Sequence, residues 1–353
     1  MKKFSCFLIA AFLLSYSHEV FSQMNRKSIR KNNKRIATFK GKKNNFGKEK
    51  RYYSLGFSVN ALNYYGDLAP NPGRFSTDIS FTRPALGLTF SHRFGPRYSL
   101  TAGFMYGTLR GSDVASADAN DVNNGKFRYN RNLSFRNRIK ELSVIASFDL
   151  YENQATYISR LKWTPYAFIG LAAFHHNPQA LAPALGLDNQ PLAQAGQWVN
   201  LRALGTEGQY ADLQPTDANY GTKPYNLIQV AIPFGLGVRF RLNEVMDFSA
   251  ELGFRYLFTD YIDDVSRNFV DLGVFESELA RALSYRSNEL TKPDIARLPV
   301  TARNGVTYDL IPGYGQEQPT NIRGSENNKD IFMVTTFRLT YILGKTFHRA
   351  KFR

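Results

Sequence analysis

Arg239 and Arg241 continue a face that carries Gly235 and Gly237 in the stretch Ile228–Leu242. A period of two is how a β-strand sorts its side chains between its two faces. Elsewhere, Glu141, Asp149, Glu251, Arg255 and Arg338 occupy the same kind of alternate position opposite apolar residues. Carboxylates and guanidiniums facing one another in a narrow lumen either form a selective or proton-conducting path, or pair and seal it. Pairing is the expected outcome, because unpaired charge in a confined interior is expensive to desolvate and a barrel of about eight strands is normally filled by side chains. The lumen charge network is therefore expected to comprise Glu141, Asp149, Arg239, Arg241, Glu251, Arg255 and Arg338.

Three further groups carry chemistry. The run Thr259–Asp264 gathers Asp260, Asp263 and Asp264. Calcium favours such oxygen clusters, but no EF-hand spacing is present, so a hydrogen-bonded acidic corner is the simpler expectation. His175 and His176 are adjacent and have no cysteine or further histidine beside them, a poor tetrahedral metal set. No nucleophile motif surrounds His92, His175, His176 or His348, and no phosphate loop or dinucleotide fingerprint occurs. The sequence thus implies no enzyme, no cofactor and no metal.

The third group is a basic arm between residues 23 and 51. It contains Arg26, Lys27, Arg30, Lys31, Lys34, Arg35, Lys40, Lys42, Lys43, Lys48, Lys50 and Arg51 against Glu49 alone. Such a block repels itself and is expected to be disordered and to bind an acidic partner or surface, or else to be a solvated tail. It supplies most of the formal charge of +16. Lys2 and Lys3, the apolar stretch Phe4–Tyr16 and Val20-Phe21-Ser22 read as a signal peptide over residues 1–22. Export removes the arm from nucleic acid, so no nucleic-acid partner is expected. The sole cysteine, Cys6, falls inside that leader.

Eight strands must position these groups. Tyr53–Ala61, Ala85–Phe94, Tyr98–Thr108, Ile139–Leu150, Ile228–Leu242, Phe248–Thr259 and Ile331–Leu343 alternate apolar with small or polar residues. Thr164–Phe174 is apolar on both faces, and its register cannot be assigned. Strands of this length suit a tilted membrane crossing better than a soluble sandwich. Links after the even strands are short or moderate and those after the odd strands long, the pattern of outer-membrane barrels. The expected fold is an all-β, eight-stranded antiparallel transmembrane β-barrel over residues 52–344, followed by a basic tail at 345–353. Both termini are expected in the periplasm. Leu272–Arg286 has apolar residues at helical spacing and is expected to form a short helix over the barrel mouth.

The residues then carry a family resemblance. Asn63-Tyr64-Tyr65-Gly66-Asp67-Leu68, Arg83-Pro84-Ala85-Leu86, Arg131-Asn132-Leu133-Ser134-Phe135, Thr164-Pro165-Tyr166 and Leu204-Gly205-Thr206-Glu207-Gly208-Gln209 occur in order. Ile232-Pro233-Phe234-Gly235-Leu236-Gly237 and Glu251-Leu252-Gly253-Phe254-Arg255-Tyr256 follow, the latter leading into Thr259–Ser266. Together they resemble the PorG-type outer-membrane proteins of the type IX secretion system. That resemblance implies a non-catalytic barrel in outer-membrane lipid that contacts the periplasmic GldK/GldN (PorK/PorN) ring. The basic arm departs from the pattern. The alternative is a small porin or ligand-binding outer-membrane barrel, working through its lumen or loops.

Overall fold

The computed structural model describes residues 46–69, 81–290, 296–326 and 329–344. Eight of its strands form the barrel: β1 (Tyr52–Tyr65), β2 (Arg83–Arg93), β3 (Tyr98–Ser112), β4 (Ser134–Asp149), β5 (Trp163–His175), β8 (Ile228–Arg241), β9 (Met246–Leu257) and β12 (Ile331–Leu343). The hydrogen-bonded order is β3-β2-β1-β12-β9-β8-β5-β4, every pair is antiparallel, and β3 pairs with β4 to close the ring. Closure leaves no unpaired barrel edge. Among the described residues no helix is long and apolar enough to cross a membrane.

Alternation sets which face each residue shows. In β8, Ile228, Val230, Phe234, Leu236 and Phe240 are exposed on the outside. Leu142, Leu171 and Leu236 are each about two-thirds exposed (65%, 65% and 66%), far beyond what a water-facing surface of contiguous aliphatics tolerates. Exposed aromatics cluster at the short-turn end, including Tyr53, Tyr98, Tyr151 and Trp163, with Tyr106, Tyr256 and Phe258 toward the other end. These are the two aromatic girdles expected of a barrel in lipid.

The turns at one end are tight. Phe94 and Gly95 donate to the Tyr98 carbonyl across the Phe94–Arg97 turn. Asn243 Oδ1 accepts from Val245 N at 2.9 Å and Met246 N at 2.8 Å, an Asx turn that fixes the β8–β9 hairpin. Pro233 lacks an N–H, and the β5–β8 pairing is interrupted between Ile169–Phe234 and Ala172–Ala231 beside it.

Long loops fill the opposite end. They contain four short strands, β6 (Pro178–Leu181), β7 (Trp198–Asn200), β10 (Leu298–Thr301) and β11 (Thr307–Leu310), and the helices Asp113–Ser116, Gly125–Arg131 and Glu278–Ser284. The helix expected over Leu272–Arg286 is split: a 3-10 turn spans Leu272–Val274, and the α-helix begins only at Glu278. The break follows from Asp271, whose side chain accepts from Gly273 N and closes a local turn.

The signal peptide, the basic tail and the arm residues Arg26, Lys27, Arg30, Lys31, Lys34, Arg35, Lys40, Lys42 and Lys43 lie outside the described residues. The end of the expected disordered arm is ordered instead. Lys48–Lys50 form a 3-10 turn, Phe46 is buried, and Arg51 donates to the Phe46 carbonyl at 3.5 Å. A buried aromatic anchors what its charged neighbours alone would leave solvated.

Candidate functional site

The lumen is divided into two layers. Toward the short turns it is ionic. Arg255 on β9 reaches across to Glu141 on β4, with Nε 3.0 Å from Oε2 and Nη2 3.1 Å from Oε1. This fork-to-carboxylate geometry spans two intervening strands and is among the stronger ion-pair arrangements. Arg338 Nη2 donates to Glu251 Oε2 at 2.6 Å, and Tyr166 OH donates to Glu251 Oε1 at 2.5 Å. Asp149 accepts from Arg239 at 3.2 Å and from Arg93 at 2.6 Å. The Arg239 guanidinium also lies over the Tyr166 ring, 4.8 Å from its centroid.

Six of the seven expected lumen residues therefore meet in ion pairs: Glu141 with Arg255, Glu251 with Arg338, Asp149 with Arg239. Arg241 does not join them. It sits one step nearer the strand end and donates to the Arg160 carbonyl at 3.0 Å, so the expectation is corrected there. Three participants went unrecognised. Arg93 lies at the last position of β2, and Tyr166 lies in the strand with no apolar alternation. Arg160, in the β4–β5 link, forks onto Asp247 at 2.6 and 2.9 Å and donates to the Asn243 and Met246 carbonyls. It staples that link to the β8–β9 turn and closes the lower end.

Two cavities of about 40 Å³ each remain in this layer. Arg338 lines both, between a chamber walled by Ser58, Thr89, Glu141 and Thr336 and one walled by Ser54, Ser99, Arg239 and Ser249. Each has room for water but not for a solute of metabolite size.

The layer toward the loops is apolar. Inward-facing Leu62, Leu109, Ile139, Phe174, Leu257 and Phe332 pack with Leu68, Ile262 and Val265, which descend from the loops into the mouth. Above them lies a buried polar cap, built largely from the motif stretches of the sequence. Glu207 Oε1 accepts from Ser266 N, Arg267 N and Arg323 Nη1 at 2.9, 3.1 and 2.9 Å. Thr206 and Tyr225 donate to the two oxygens of Asp264 at 2.5 and 2.6 Å. Arg131 holds Asp113 at 2.8 Å and donates to the Asp67 and Arg323 carbonyls. Tyr64 OH lies 2.6 Å from Asp263 Oδ2 and 2.8 Å from Asp330 Oδ1.

The expected acidic corner is therefore a hydrogen-bonded joint in the cap. Burial raises Asp260 to about 7, Asp67 to about 6 and Asp264 to about 6. Burial and then the neighbouring carboxylates hold Asp263 and Asp330 well above the usual carboxylate range. Among the described residues no group of three histidine, cysteine, aspartate or glutamate side chains is arranged to hold a metal. His175 closes β5, and His176 stacks on Tyr225 with its Nε2 3.0 Å from the Asn226 carbonyl. Burial lowers His176 to about 4.

A family model described only as a domain of unknown function, DUF6089, matches residues 44–189, from the start of the barrel through β6. No curated protein matches the chain. Among solved structures it is similar to Neisserial surface protein A, at 6% identity and TM-score 0.33, over 82% of this chain and 96% of that one. It is also similar to the outer membrane protein OprG from Pseudomonas aeruginosa, at 9% identity and TM-score 0.33, over 86% and 100% of the two chains. A major outer membrane protein from Thermus thermophilus matches at 10% identity and TM-score 0.33, over 82% and 99%.

Proposed function

We propose that this chain is a sealed outer-membrane barrel that acts through its surfaces, as a non-catalytic component of a protein secretion machine of the type IX kind. The observation that carries the reading is the double closure of the lumen, by paired charges below and an apolar plug beneath a hydrogen-bonded cap above. A barrel filled this way offers a solute no path, so work has to be done at the ends. The motif stretches support the family. Four of them, Asn63–Leu68, Arg131–Phe135, Leu204–Gln209 and Thr259–Ser266, converge in one cap. They specify the lid rather than a partner surface. Contact with a GldK/GldN-type periplasmic ring then falls to the short-turn end, with Arg97 and Lys162, and to the basic arm.

The test is a mild-detergent pull-down of tagged native protein from its own envelope, after brief cross-linking. Recovery of ring lipoproteins in preference to abundant envelope proteins is expected. A porin or ligand-binding barrel would instead be recovered without them and would pass current in a planar bilayer.

A further inference from the structure

The outward face of the barrel strands is free of formal charge except at one place. Arg110 on β3 and Arg136, Arg138 and Lys140 on β4 all point outward, and all are cationic. They lie together at the loop end: Arg110 is directly opposite Arg136, Thr108 opposite Arg138, and Tyr106 opposite Lys140. Directly opposed residues on one face of a sheet have Cβ atoms about 4.5–5.5 Å apart, and like charges there are destabilising. Successive same-face positions along a strand are about 6.8 Å apart, inside the screening length of about 8 Å. Among the described residues no carboxylate pairs with any of the four. Arg136 is nevertheless held in place, with Nε 3.0 Å from Gln179 Oε1 and its guanidinium 3.9 Å from the centre of the Trp198 ring.

Position identifies the missing anion. From Phe148, in the aromatic girdle at the short turns, to Arg138 is ten residues, about 34 Å of strand, or about 26 Å of height at a tilt of about 40°. The apolar band of such a barrel is about 25 Å tall. The edge of the band thus falls at Arg138, and Lys140, one same-face step lower and next to exposed Leu142, lies within reach of the headgroups through its long side chain. Resting on the reading of this barrel as membrane-embedded, we infer that Arg110, Arg136, Arg138 and Lys140 bind the headgroup of a membrane lipid carrying more than one phosphate. The three β4 cations span about 14 Å of strand, with Arg110 beside Arg136 on β3, and four charges over that length exceed what one phosphate neutralises. The contiguous apolar face below, through Leu142 and Val144, receives the acyl chains.

The experiment uses the full chain, reconstituted into vesicles of zwitterionic phospholipid doped with bisphosphorylated lipid A, or with its fully dephosphorylated form. Bound lipid is counted by native mass spectrometry after mild extraction. At least ten-fold preference for the bisphosphorylated form is expected. R110Q/R136Q/R138Q/K140Q should abolish it, while R136K/R138K, which keeps the charge, should retain it. Barrel integrity is followed by heat-modifiable migration on gels. Equal retention of both lipids by wild type, or an undiminished preference in the glutamine variant, overturns the inference. So does displacement of bound lipid by inorganic phosphate at equal concentration, which would mark a free-phosphate site. Failure to enter even undoped vesicles would instead reject the membrane reading beneath it.

Discussion

A phenol has one proton, yet Tyr64 OH lies within hydrogen-bond distance of both Asp263 and Asp330. It can donate to one; the second contact requires the other carboxyl to carry a proton of its own. The joint therefore holds a proton that ordinary carboxylates would have lost, in keeping with burial and like charge raising Asp263 and Asp330 well above the usual range. Burial raises Asp260 and Asp67 as well, to about 7 and about 6. The sign of the pH effect follows. These carboxyls bind protons more tightly folded than unfolded, so their stabilisation is fully present below about pH 4 and is lost as pH rises through 6 and 7. Glu207 adds to this rise, while Arg131 beside Asp67, Lys329 beside Asp260 and Arg323 beside Asp264 partly offset it. His176 works oppositely: neutral in the fold near 4, it costs stability as pH falls below about 6.5. Amide exchange at Ile262–Ser266, corrected for intrinsic rate, should be slower at pH 5.5 than at pH 8. Asp260→Asn should flatten that difference, since its Oδ2 bond from Ser266 at 2.7 Å can be kept by an amide oxygen. Equal protection of wild type at both pH values would refute the shared proton. None of this was legible in the sequence beyond an acidic cluster, because Asp67 and Asp330 come from opposite ends of the chain.

At the scale of elements, the strands were legible and their complements were not. Seven strands declare their faces because one side meets lipid and the other a polar or small-residue lumen, so alternation is preserved. β5 does not, because its inward residues Tyr166 and Phe168 are large and apolar-bodied in order to fill space vacated by glycines on β8 and β9. A Cβ at Gly235 would sit 2.7 Å from Phe168 Cζ and 2.2 Å from the Leu252 carbonyl oxygen, and one at Gly237 would sit 2.7 Å from Tyr166 Cζ. The fit is between strands about 65 residues apart in the chain, and periodicity within one strand cannot reveal it. Loop-half positions such as Leu62, Leu109 and Leu257 blur the alternation in the same way, since they build the apolar plug. Gly235→Ala should destabilise the barrel by about 1–3 kcal/mol through overpacking, because one neighbour is backbone and cannot rotate away. Gly103→Ala, whose nearest neighbour is the Ser143 hydroxyl at 3.0 Å, should cost less. Urea unfolding of both variants in micelles checks the order; the reverse order would reject the proposed packing of Phe168.

For the whole molecule, the two lumen layers act as seals in series, and they differ in kind. The ionic layer is held by pairs whose members are costly to leave alone, since removing one partner of a buried pair typically destabilises by about 3–5 kcal/mol. The apolar layer needs no partner chemistry and is continuous with the cap through Ile262 and Val265. Breaking the lower seal should therefore weaken the barrel without opening it. Glu251→Ala strands Arg338 and removes the acceptor of Tyr166, while Phe174, Leu257 and Phe332 stay packed above. Unfolding should shift to lower urea, yet planar-bilayer recordings should stay as silent as those of the wild type. Small residues such as Ser58, Ser249 and Thr336 line the ionic layer, so rearrangement there admits water but meets the plug within about two turns of the strand pleat. Steps of general-porin size from Glu251→Ala would mean that the ion pair alone holds the lumen shut. In that case the barrel would be a gated channel, and the porin alternative would replace a surface-acting component.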